Sequence, residues 1–175
     1  MYEIIIFDFP PAQAQSLVRS PIFMCEIYYE TDQVCLWYDQ AEKLGGGIWY
    51  GTLESKAYRE AFLKCNQLIV EKGLKFWLAD NLKLKSISQP DLEWTVQLGP
   101  TVMATGLQKM ATVVSEDVFN HIDIISLFDR INPILNFENQ YFRNEKEGLA
   151  WLIPGKDHLV ENKCALRERF KTHQA

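Results

Sequence analysis

The sequence predicts an α/β domain built on a mixed sheet, antiparallel at its start and parallel afterwards. Three observations carry that expectation. Two short runs rich in β-branched and aromatic residues, 22–29 and 34–38, flank the polar segment ETDQ and read as a hairpin. Further on, short apolar runs alternate with stretches whose apolar side chains recur at helical spacing. Strands that alternate with helices pair in parallel through right-handed βα crossovers.

Taken in order, the hairpin is followed by GGGIWYG, in which Ile48, Trp49 and Tyr50 make a third short strand and complete a meander. Gly45, Gly46 and Gly47 precede that strand and read as a flexible loop. A phosphate loop would need glycines after a strand, opening a helix, with GK[ST] behind them. A helix is expected over 55–72. Tyr58, Ala61, Phe62, Cys65, Leu68 and Ile69 fall on one face, Lys56, Arg59, Glu60, Lys64 and Glu71 occupy the other, and Gly73 supplies the stop. Residues 74–79 read as a buried strand ending at Asp80, with NLKLKS as a polar loop behind it. Ser88 is expected to cap the next helix, with Asp91 adding negative charge to its first turn and Pro100 bending or ending it. A strand over 110–114 follows Gly106. Ser115 then caps a helix carrying Val118, Ile122, Ile125 and Phe128 on its apolar face. A strand over 139–142 precedes a short helix, where Asn144 and Glu147 form a cap pair and Leu149, Trp151 and Leu152 act as anchors. Residues 1–21 read as an N-terminal arm, 22–153 as the domain, and 154–175 as a polar tail with Leu159, Leu166 and Phe170 at near-helical spacing.

Composition narrows the function classes. With 175 residues and 47% hydrophobic content the chain can bury one sizeable core. The net charge of −5 and the lack of a long basic run argue against nucleic acid as a partner. The apolar run in MYEIIIFDFPP is too short for a signal peptide or a membrane span. Cys25, Cys35, Cys65 and Cys164 form no CxxC pair and read as reduced thiols of a cytoplasmic protein, which disfavours a Cys25–Cys35 bridge across the hairpin. His121, His158 and His173 have no neighbours at ligand spacing, so no metal site is expected, and no motif names a cofactor or a catalytic nucleophile.

The spacing of IWYGTLESKAYREAF, FWLAD, SISQPDLEW, MATVVSEDVF and EGLAWL resembles the STAS-like family, and within it the SpoIIAA-like branch, also labelled STAS/Sec14-like. The resemblance spans residues 22–153. It implies a bacterial, non-enzymatic, regulatory domain that acts through protein contacts, with binding of a lipid or nucleotide suggested for some relatives. In the anti-sigma-factor antagonists of that family an Asp–Ser pair ends the strand, and the serine is phosphorylated by a partner kinase. Here Asp80 is followed by Asn81, and the next hydroxyls belong to Ser86 and Ser88.

The candidate ligand or partner loop therefore comprises Asp80, Asn81, Lys83, Lys85, Ser86 and Ser88. The bland reading has Asp80 accepting backbone N–H groups, the lysines solvated and Ser88 serving as an N-cap. Tryptophans beside apolar neighbours are expected in the core, with Trp49 or Tyr50 as the candidate partner surface. The leading expectation is an interaction domain without an enclosed cavity, working as a homodimer or with an unidentified protein. The alternative is a carrier or sensor of a small apolar, lipid-like ligand, which requires an internal pocket walled by the helices of 88–103 and 116–131.

Overall fold

A computed structural model describes residues 25–103, 106–114, 125–127 and 129–156. The elements are β1 (Glu26–Glu30), β2 (Val34–Asp39), β3 (Leu44–Thr52), α1 (Ser55–Lys72), β4 (Phe76–Ser86), α2 (Gln89–Met103), β5 (Lys109–Val113), a 3₁₀ turn (Asn132–Ile134), β6 (Glu138–Phe142) and α3 (Glu145–Leu152). Residues 125–127 and 129–131 are helical. The N-terminal arm, most of the tail, the Ser115 cap, Cys164 and the three histidines lie outside the described residues. No disulfide joins Cys25, Cys35 or Cys65.

The six strands lie side by side in sequence order. β1, β2 and β3 pair antiparallel, and β3, β4, β5 and β6 pair parallel. This is the α/β mixed sheet the sequence predicts. Because the parallel strands advance in one direction, right-handed crossovers must all cover the same face. The contacts agree: Tyr58 and Phe62 of α1, Leu92 of α2, and Leu127 and Ile131 before the 3₁₀ turn share one core cluster with Trp77, Ala79 and Met110 of the sheet. Past the last strand that constraint lapses. α3 packs on the opposite face, where Leu149 and Leu152 meet Leu78, Ala111 and Val113. Gly148 makes this close approach possible, since an added Cβ would lie 3.1 Å from Leu78 Cδ1 and 3.3 Å from Ala111 Cβ. Asn144 caps α3 by accepting the Glu147 N–H at 2.9 Å.

Two expectations are overturned. The triple glycine is not a loop; it lies inside β3. Gly46 pairs with Trp37 across the antiparallel ladder and with Leu78 across the parallel one. Indoles cover β3 on both faces, Trp37 over Gly46 and Trp77 over Gly45, so a side chain at either position would occupy space those rings already fill. Nor does the fourth strand stop at Ala79. β4 runs on through NLKLKS to Ser86, paired with β3 as far as Thr52. Leu82 and Leu84 are interleaved with Lys83 and Lys85 in the sequence, but they pack into the clusters on opposite faces of the sheet.

α1 spans the predicted residues and ends at Gly73, whose φ of 59° is left-handed and whose N–H closes on Val70 O. α2 opens at Ser88, whose carbonyl accepts from Asp91 and Leu92. The two helix starts are tied together by Asp91. Its carboxylate, 1% exposed, accepts from Ser88 Oγ at 2.5 Å, Ser55 Oγ at 2.7 Å and Arg59 Nε at 2.7 Å. Arg59 also lies over the Trp94 ring at 5.2 Å. Burial alone would raise the Asp91 pKa, but these three donors and the guanidinium charge outweigh it and hold the carboxyl below its ordinary range.

Candidate functional site

A partly open cavity of about 70 Å³ lies between the sheet and the helices that cover its crossover face. Its floor is Trp49 of β3, Trp77, Ala79, Asn81 and Leu84 of β4, and Met110 of β5. Tyr58, Phe62, Cys65, Asn66 and Ile69 of α1 form one wall. Ile87 and Thr95 close a second side, and Leu127 and Ile131 a third.

The floor depends on a bulge. Ile48 pairs with Asp80 and Tyr50 with Lys83, so Asn81 and Leu82 together oppose the single residue Trp49. Without the extra residue, Asn81 and Leu84 would face opposite sides of the sheet; with it, both line the cavity. Asp80 supports this irregularity. It is 1% exposed, and its Oδ1 accepts the Leu82 N–H at 3.2 Å, giving a partner to an amide of the bulge.

Polar groups around the space are few and uncharged. Tyr58 OH lies 2.9 Å from Thr95 Oγ1, which itself donates to Asp91 O at 2.9 Å. Burial, with the Asp91 charge adding to it, pushes the Tyr58 pKa up to about 12. Burial likewise pushes the Cys65 thiol up, although part of that residue reaches the surface. Both groups are therefore neutral near pH 7. Asn66 Oδ1 is buried without a hydrogen-bond partner. Asn81 is 5% exposed and makes no side-chain hydrogen bond among the described residues.

The predicted site residues do not converge. Asn81 reaches the cavity, with Trp49 beside it, whereas Asp80 is buried within β4 and does not line it. Lys83 and Lys85 are exposed on β4, Ser86 is half-buried opposite Thr52, and Ser88 sits at the start of α2, bound to Asp91. Trp49 is buried in the floor of the cavity and is not exposed as a partner surface would be, and Tyr50 is 39% exposed. Three tryptophans, Trp37, Trp49 and Trp77, are fully in the core, and Trp94 and Trp151 are half-buried against it. Asn66 was not singled out from the sequence, yet it carried a signal there. It follows Tyr58 and Phe62 at four-residue steps, a carboxamide inside an otherwise apolar helical stripe.

Among the described residues no cluster of His, Cys, Asp or Glu could hold a metal ion, and no helix is long and apolar enough to cross a membrane. Compared with protein-family models, curated proteins and solved structures, the chain shows no match.

Proposed function

We propose that this domain binds a small, mainly apolar molecule in the cavity between its sheet and crossover helices, as a carrier or sensor and not by catalysis. The observation that carries this reading is the cavity itself. Its walls are aromatic and aliphatic, with a small number of uncharged polar groups, the usual make-up of a small-molecule site. General acid–base chemistry needs a group that titrates near the working pH. The lining residues offer no carboxylate, imidazole or amine, and Tyr58 and Cys65 are both shifted away from neutrality.

Size limits the ligand. A cavity of about 70 Å³ is roughly half the size of an apolar cavity of about 150 Å³, which is large enough for benzene. It takes in a short alkyl group or a chain end, not a whole acyl chain. A regulatory role through protein contacts, which the STAS-like resemblance also implies, has thinner physical support. The large exposed apolar side chains described are Tyr50, Leu63, Val70 and Leu98, on three different elements, and single apolar residues are common on protein surfaces.

Xenon, an uncharged probe of suitable size, tests the reading. Under xenon pressure, saturable NMR shifts are expected at the Trp49 and Trp77 indoles and the Ile69 and Ile131 methyls. Ala79→Val, which adds two methyl groups to the floor, should remove them while the protein stays folded. An unresponsive set of these signals in the wild type would rule the cavity out as a binding site.

A further inference from the structure

Two hydrogen-bond donors in the cavity lining lack an acceptor. Trp49 of β3 and Trp77 of β4 are 7% and 3% exposed. Among the described residues neither indole N–H donates a hydrogen bond, yet neither nitrogen is sealed off as Asn66 Oδ1 is. The two rings converge. A Cβ on Gly47 would lie 3.0 Å from Trp49 Nε1 and 3.6 Å from Trp77 Cζ2, which neighbours the carbon that carries the second Nε1. Both nitrogen-bearing edges thus approach one residue of β3. The hydroxyls of the lining are committed, Tyr58 to Thr95 and Thr95 to Asp91 O, and the Asn81 carboxamide adds a donor and an acceptor alike. An indole N–H only donates, so the free polar groups of the lining are weighted toward donors. A buried tryptophan N–H ordinarily has a partner, because an unmade hydrogen bond leaves its desolvation uncompensated.

We propose that Trp49 and Trp77 together recognise an uncharged oxygen acceptor, a carbonyl carried on a short apolar body, as the polar group of the ligand. This inference rests on the binding role proposed above and adds the ligand's chemical class. The indoles can only donate, so the ligand must bring the acceptor, and a carbonyl oxygen has a lone pair for each of them. The ligand must also be neutral, because the cavity lining holds no charged side chain and an ion there would lose its hydration without a counter-charge. A ketone or an ester meets both conditions. A hydrocarbon leaves the two donors unmet, and a carboxylate brings an uncompensated charge.

Acetone and isobutene make the comparison, since they have nearly the same shape and only acetone carries an acceptor. In NMR titrations of the full chain, acetone should move the indole Hε1 signals of Trp49 and Trp77 downfield to saturation, and isobutene should not. Trp49→Phe and Trp77→Phe each remove one N–H and enlarge the space for both probes alike. Each should weaken acetone relative to isobutene by about fivefold, the scale of one net hydrogen bond. Saturable xenon shifts in a variant would show that its fold and cavity survive, and the wild-type Hε1 shifts decide the matter if neither variant folds. Acetone that binds without moving either Hε1, or variants that weaken both probes equally, would overturn the inference and leave the indoles as apolar walls. Xenon and isobutene binding without acetone would also overturn it, meaning that the donors do not repay the carbonyl's lost hydration. A wild type that responds to none of the three probes would remove the underlying binding role and this inference with it.

Discussion

Gly46→Ala is expected to destabilise the protein by about 3 kcal/mol, at the upper end of the usual cost of overpacking a core. An added Cβ would lie 2.6 Å from Cζ2 of Trp37 and 2.7 Å from the carbonyl oxygen of Leu78. Trp37 is 1% exposed and closely surrounded, so its ring has little room to retreat. The carbonyl belongs to the β3–β4 ladder and cannot move without disturbing it. Alanine would recover about 0.5–1 kcal/mol of backbone entropy relative to glycine, which is too little to offset two such contacts. In a chain of this length the loss corresponds to a fall in Tm of about 6–12 °C. Gly73→Ala is the control: it has nothing within 4 Å, and its cost is only that of a left-handed φ, about 1 kcal/mol. Urea or thermal denaturation of both variants decides the matter. If Gly46→Ala proves no worse than Gly73→Ala, the account of the triple glycine as a bed for the two indoles is wrong.

The same glycines show why some elements were legible in the sequence and others were not. α1 could be read from 55 to 72 because everything that specifies it is local: an apolar stripe at helical spacing and a glycine stop. The glycine strand could not be read this way. What makes glycine necessary at position 46 is Trp37 on the neighbouring strand, and glycine taken alone argues against a strand. The end of β4 is a different case. The segment NLKLKS has the polar composition of a loop, and a bulge turns Leu82 and Leu84 to opposite faces of the sheet, so no single apolar face marks it as a strand.

The candidate site divides along the same line. A loop beyond Asp80 was the expected centre, because in α/β folds ligands collect at strand ends. Of its six residues only Asn81 lines the cavity, and it does so within the strand, at a bulge that no local pattern announces. The cavity arises where three crossovers share one face of the sheet and their side chains leave a gap. That is a property of topology and packing, so its lining comes from positions 49 to 131. The pocket was expected between the helices of 88–103 and 116–131. α1 is the larger contributor, with five lining residues, against Thr95 from α2.

Removing the Asp91 carboxylate is the second large effect expected, and it bears on the cavity as well as on stability. Asp91→Ala would leave Ser55, Ser88 and Arg59 without their shared acceptor. Breaking a fully buried charged pair costs about 3–5 kcal/mol. The Arg59 side chain is 38% exposed and can rehydrate, which lowers the expected cost to about 2–4 kcal/mol. Asp91→Asn keeps the shape and one acceptor, and should lose about half as much. The two variants also report on pH. The native Asp91 pKa lies below its ordinary value of about 4, so the carboxylate contributes fully above that value and loses its contribution as pH falls through the native pKa. The stability gap between wild type and Asp91→Asn should therefore be constant from pH 7 to about pH 5 and close in more acid solution. A gap that stays unchanged down to pH 3 would show that the charge of Asp91 contributes nothing and only its shape matters. Asp91 O also holds Thr95, whose hydroxyl pairs with Tyr58 on the cavity wall, and the carboxylate fixes where α2 starts against α1. Loosening that clamp should broaden the NMR signals of Tyr58 and Trp49 and weaken the xenon response, even in conditions where the variant remains fully folded.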